Sequence, residues 1–195
     1  MDGNDTNGDC GVAGFNHDLM AAASVADLSE TWPSNTDIVT YYYTYTGGQD
    51  TGVVLSDFLA YVKKNSFLGH TLSAYAPVKV HDIPTLHFAV WAYDAAYTGI
   101  RVTSGMMNAN QQGKPWDLDD MMSETVGGHC IPIVGYDSNY LYAVTWGGVQ
   151  AISYPAWHFM SDEAWALVTG EFAAKGGDGR GVNLAALEAD LNKLA

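Results

Sequence analysis

The period of the apolar residues changes along the chain, and this constrains the fold more than any single residue does. From Cys10 onward, Val12, Phe15, Leu19, Ala22, Ala23 and Ala26 recur at steps of three and four. That spacing predicts a helix from about Cys10 to about Ala26. Val54, Leu55, Phe58, Leu59 and Val62 form a second helical face, closed by Lys63 and Lys64, whose charge suits a helix C-terminus. Pro84 opens a third, with Leu86, Val90 and Tyr93 inward. The stretch "TDIVTYYYTYTGG" has strand-like composition. Ser34 to Asp37 resembles a capping box and Gly47 a C-cap, so it reads as a helix.

Alternation takes over later. Leu72, Ala74, Ala76, Val78 and Val80 form a strand pattern, and Pro77 assigns it to a sheet edge. "YTGIRVTS", His129–Tyr136, Tyr140–Trp146, Val149–Ser153 and Ala164–Thr169 also read as strands, with a short helical turn at "YPAWHFM". Residues 104–128 show no clear period and are expected to be a long functional loop. Helices first and strands later make an α+β chain. The helical lobe is expected over about 1–95 and the sheet lobe over about 96–172. A flexible linker is expected over 173–182 and a C-terminal helix over 183–195. Asn183 suits that helix as N-cap, and Leu184, Leu187, Leu191 and Leu194 give it an apolar stripe. So short a helix is marginal alone, so the stripe is expected to dock on the body or on an assembly partner.

Composition removes several function classes. The 195 residues suffice for one well-cored domain. A net charge of −14 repels phosphate, which argues against nucleic acid as a partner. No apolar run reaches membrane-spanning length, and "MDGNDTNGDC" is too polar for a signal or transit peptide. Synthesis and retention in a cytoplasm are therefore expected, with both cysteines as thiols. The histidines and cysteines lack zinc spacing, the acids lack a calcium-loop spacing, and no phosphate-binding glycine string occurs, so no metal or cofactor is expected.

Cys10 carries the first chemical signal. A thiol at a helix N-terminus feels the positive end of the macrodipole, which favours thiolate, while adjacent Asp9 opposes it. A nucleophilic thiol also needs a base. His17 lies two turns along the same helix, roughly 10 Å away, beyond hydrogen-bond reach. His70, His81 and His87 sit in or beside ordinary elements. His129 follows two glycines and opens a strand, with Cys130 facing the opposite side. With Cys130 in the core, His129 faces the loop side, where a cleft can form.

"GDCGVAGF", followed by "GGHCIPIVGYDSNYLYAVTWGG", resembles the papain-like cysteine peptidases. Those enzymes place a nucleophilic Cys at the start of a central helix and a His at the start of a later strand. "DCGVA" is similar to the bacteriocin-processing branch, and "GGHC…VGYD…TWG" resembles small papain-like proteins of tailed phages. The likeness covers the chain to about Phe172. It implies a papain-like α+β fold, with the central helix packed on a mainly antiparallel sheet. It implies Cys10 as nucleophile and His129 as general base and acid. Asn4 stands where the family has an oxyanion-donating Gln, and the Cys10 N–H would be the second donor. The sequence departs from the family behind the His. Val144 stands where "VTWG" should carry the orienting Asn, and a one-residue shift offers Thr145, a weak acceptor. The implied function is hydrolysis of peptide or amide bonds in a peptide or protein substrate. The alternatives are a catalytically degenerate module in a phage virion or its assembly, docking through Leu184, Leu187 and Leu191, and acyl transfer through a thioester.

Overall fold

The computed structural model describes residues 1–29, 31–174 and 186. The expected C-terminal helix and all but the first two residues of the expected linker lie outside the described residues, Ala186 excepted. Helix α1 spans Cys10–Val25, α2 Asn35–Tyr45 and α3 Leu55–Asn65. Strand β1 (Leu72–Pro77) and helix α4 (Ile83–Tyr93) follow. Strand β2 (Ala96–Thr103), helix α5 (Ser104–Gln111) and a 3-10 turn at Leu118–Met122 precede β3 (Thr125–Tyr136). Strands β4 (Tyr140–Thr145) and β5 (Gly148–Ser153), helix α6 (Tyr154–Met160), β6 (Ser161–Thr169) and α7 (Gly170–Ala174) follow. Among the described residues six strands form one antiparallel sheet in the order β1-β6-β2-β3-β4-β5. The protein is therefore α+β. Among the described residues no helix is long and apolar enough to cross a membrane.

Local chemistry explains the elements. Ser34 caps α2, its hydroxyl accepting from Asp37 N while the Asp37 carboxylate accepts from Ser34 N at 2.9 Å. Asp82 caps α4 with proline inside its first turn. β1, which ends at Pro77, takes a sheet edge, where a missing N–H costs no ladder bond.

The 104–128 segment corrects the sequence expectation of a loop. It holds α5, the 3-10 turn and the start of β3. Thr103 caps α5 through its hydroxyl, and Met106 and Ala109, three residues apart, are buried. Polar and small residues around that pair, Gly105 before it and Asn110, Gln111 and Gln112 after it, hide so short a period. The strand expected from Ala164 begins earlier, at Ser161.

Each sheet face carries its own core. Helices α1, α2 and α3 bury Phe15, Leu19, Ile38, Tyr42, Phe58 and Phe67 against Tyr97 and Cys130 of the sheet. On the other face Leu86, Met106, Trp116 and Trp157 pack on Ile131 and Ile133. Helix α1 is buried almost continuously from Gly11 to Leu19, as expected of a helix covered on both sides. Two glycines let it pack closely, Gly14 on the sheet and Gly11 against the segment before α3. A Cβ at Gly14 would stand 2.9 Å from the Cys130 sulfur, and one at Gly11 would stand 2.2 Å from Val53 Cγ2. Buried Tyr97 donates its hydroxyl to the Gly11 carbonyl at 2.7 Å, which ties the first turn of α1 to β2.

Candidate functional site

Cys10 is the first residue of α1, with Asp9 as N-cap. Its sulfur lies against the backbone N–H groups of Cys10, Gly11 and Cys130, each of which favours thiolate. Burial outweighs them, and the thiol is held above its ordinary range. This corrects the dipole-based expectation of a lowered value. The helix end stabilises a charge, but removing the sulfur from water penalises that charge more. Asp9 adds to the penalty when ionised. Its own carboxyl is fully buried and pushed up to about 6, with the neighbouring Asn4 amide working the other way.

His129 comes from β3. Its Nε2 lies 2.8 Å from Thr145 Oγ1, at the end of β4. Its ring stacks on Trp146, with centroids 5.1 Å apart and planes 19° apart. Trp146 and Gly147 link β4 to β5 as a two-residue turn, since Thr145 pairs with Gly148. Both have positive φ, 45° and 80°, as a tight hairpin requires. A tryptophan in that conformation is strained. Stacking on His129 and edge contact with Trp116, at 5.7 Å between centroids, hold it there. Burial and the positive charge of His17 push the His129 imidazole down to about 4.

The register of β3 and β4 places Thr145 beside His129. The two strands pair from Tyr136↔Leu141 to Ile133↔Ala143. Past that pair, Val144 and Thr145 wall a recess together with Cys10, Gly14, His129 and Cys130. The recess encloses only about 10 Å³, the lower limit for one water. Two larger spaces open from the same residues. One, of about 410 Å³, runs past Cys10 and His129 between the Thr51–Val53 segment and Gly99, Ile100 and Gly128. The other, of about 220 Å³, is bounded by Cys10, His129, Met107, Val126 and Trp146. The 104–128 segment thus supplies one wall of the cleft, as a helix and a strand rather than a loop.

All four residues singled out in the sequence border the recess. Asn4 lines it and also the 220 Å³ space, with its Nδ2 donating to the Asn7 carbonyl at 3.3 Å. Thr145, not Val144, reaches the imidazole. Cys130 is only 4 % exposed and packs in the α1-side core, opposite the face that carries Ile131. His17, set aside on distance from Cys10, also borders the recess, with Nε2 3.3 Å from Asp2 Oδ2. Two turns of helix keep it from the thiol, yet the recess runs along α1 past Ala13 and Gly14 to reach it. Its signal in the sequence was the seven-residue step from Cys10, which puts both on one helix face. Among the described residues no group of three or more His, Cys, Asp or Glu side chains is placed to hold a metal ion.

Compared with protein-family models, curated proteins and solved structures, the chain gives no match.

Proposed function

We propose that the chain is a papain-like cysteine hydrolase of peptide or amide bonds, with Cys10 as nucleophile and His129 as base and acid. One observation carries this reading: Cys10 at the first turn of a buried helix and His129, fixed by Thr145 and Trp146, border the same recess at the foot of a cleft.

The chemistry follows from the resting charges. A raised thiol and a depressed imidazole leave both groups neutral at pH 7. The dyad therefore works as acid and base rather than as a preformed ion pair. In the tautomer that donates Nε2–H to Thr145 Oγ1, which this chemistry requires, the lone pair of His129 is on Nδ1. As the Cys10 sulfur attacks the carbonyl carbon, its proton passes to Nδ1. The Cys10 N–H and the second amide hydrogen of Asn4 are the oxyanion donors. The C–N bond then breaks, the leaving amine takes the proton from His129, and a thioester remains on Cys10. Water, losing its proton to His129, attacks the thioester. The C–S bond breaks and Cys10 regains the proton.

The test is capture by a peptidyl chloromethyl ketone, in which chloride leaves as the sulfur alkylates. Peptide mass spectrometry should place the adduct on Cys10 rather than Cys130, and Cys10→Ala should abolish it. Labelling no faster than that of the urea-unfolded chain would refute the reading.

A second reading keeps the fold without the chemistry: a catalytically degenerate papain-like module in a phage virion or its assembly. A hydroxyl in place of a carboxamide behind His129, and the raised Cys10 thiol, favour it. The same capture experiment separates the two.

A further inference from the structure

We propose that the 410 Å³ cleft beside Cys10 selects substrates carrying a basic side chain, lysine or arginine, next to the scissile bond; this rests on the hydrolase reading above. The cleft that Cys10 borders is also lined by Gly8, Gly52 and Gly128, by Val53, Leu55 and Ile100, and by Asp162 and Glu163. Its volume is in the range of sites that enclose a small ligand group.

The two carboxylates are placed by a local irregularity of the sheet. Strand β6 pairs Glu163 with Gly99 and Ser161 with Ile100, so Asp162 is an extra residue with no partner on β2. Such a bulge bends a strand and re-aims its side chains. Gly99 then gives Glu163 its path. A Cβ at Gly99 would stand 2.9 Å from Glu163 Cγ and 3.2 Å from Leu55 Cδ1. Only a glycine lets the glutamate stem lie across β2 toward Leu55. The Trp165 indole N–H donates to Glu163 Oε2 at 2.7 Å and fixes the headgroup. Oε1 lies 3.3 Å from that same point above Gly99, which lines the cleft. The charge of Glu163 also reaches Cys130, the residue after His129. Asp162 pairs with Arg101 at 3.5 Å, both more than half exposed. Such a pair is worth little and yields readily to a better-placed cation.

The walls therefore match a lysine or arginine in two parts. Val53, Leu55 and Ile100 suit the aliphatic stem, and Glu163 with Asp162 suits the cationic head. An acidic substrate side chain would meet two carboxylates on a protein of net charge −14.

The experiment compares peptidyl chloromethyl ketones that carry arginine, lysine, norleucine or glutamate at each of the two positions before the reactive group. Labelling rates at Cys10 are read by mass spectrometry at low salt. The basic probes should react at least tenfold faster than norleucine, and glutamate slowest. Glu163→Gln, which keeps an acceptor for Trp165, should bring the arginine-to-norleucine ratio toward one. Glu163→Asp should be intermediate, and Asp162→Asn should lower the ratio less. A wild-type ratio near one with Cys10 labelled, or a preference that neither substitution lowers, overturns the inference and leaves the hydrolase reading standing. Failure of every probe to label Cys10, while the unfolded chain is labelled, overturns both.

Discussion

Cys10, half-buried, and Asp18, buried, stand just over two turns apart on α1, and both are ionisable. At the first turn, burial pushes the Cys10 thiol up and the His129 imidazole down to about 4. A recess and a cleft open beside them. Further along, Asp18 is 2 % exposed, and burial together with Asp94 and Glu171 pushes its carboxyl up to about 8. Its Oδ2 has no hydrogen-bond partner among the described residues. Glu171 is committed to His70, 2.6 Å away, and that imidazole stacks on Trp32. None of these groups borders the cleft. A shifted titration by itself is therefore not a sign of function. The first turn of α1 differs because a second titratable group, held by Thr145 and Trp146, and an open cleft coincide there, which is what the proposed chemistry needs.

The largest expected effect tests whether the Asp18 end is purely a cost to stability. The folded carboxyl titrates near 8 and the unfolded one near 3.8, so the unfolded chain releases its proton first. Its contribution to stability is complete below about pH 4 and is lost as pH climbs through 8. Asp18→Asn does not titrate. It should stabilise the protein at pH 8 by about 3 kcal/mol, less at pH 5, with Cys10 labelling retained. Urea denaturation at the two pH values reads this difference. Equal gains at both pH values, or lost labelling, would break the contrast between the two regions.

The next effect sharpens the other side. Thr145→Val keeps the shape and removes the hydroxyl from His129 Nε2. Labelling of Cys10 should fall by about tenfold, about 1.4 kcal/mol in transition-state free energy. Its acid limb should move as the imidazole loses its partner, and Thr145→Ser should restore both. A fall with an unmoved pH profile would make Thr145 a packing residue only.

Much of this arrangement was legible in the sequence, for identifiable reasons. The helical period of α1, the Ser34–Asp37 cap and the alternation in β1 depend on neighbours in the chain, and local pattern is enough to read them. Motif spacing and resemblance singled out Cys10, His129 and Asn4, and the structure brings all three to the border of one recess. What stayed hidden depends on contacts distant in sequence. The dipole argument for Cys10 pointed down, because a sequence does not reveal how deeply a sulfur is buried. Thr145 rather than Val144 faces His129 because the register Ile133↔Ala143, with side chains alternating along each strand, puts His129 and Thr145 on one sheet face. The bulge at Asp162 depends on a register between strands some sixty residues apart. Helix α5 was missed because one buried Met–Ala pair is too short a period to stand out.

The most direct test of the dyad is the rate of Cys10 alkylation by a peptidyl chloromethyl ketone between pH 3.5 and 8, in the wild type and in His129→Ala. A base with its imidazole depressed to about 4 is already neutral at mildly acidic pH. The wild-type rate should therefore rise through a limb near pH 4 rather than near 6.5. His129→Ala should lose that limb and at least a hundredfold in rate at pH 7. Equal rates in the two proteins, or a limb that survives without His129, would contradict the account.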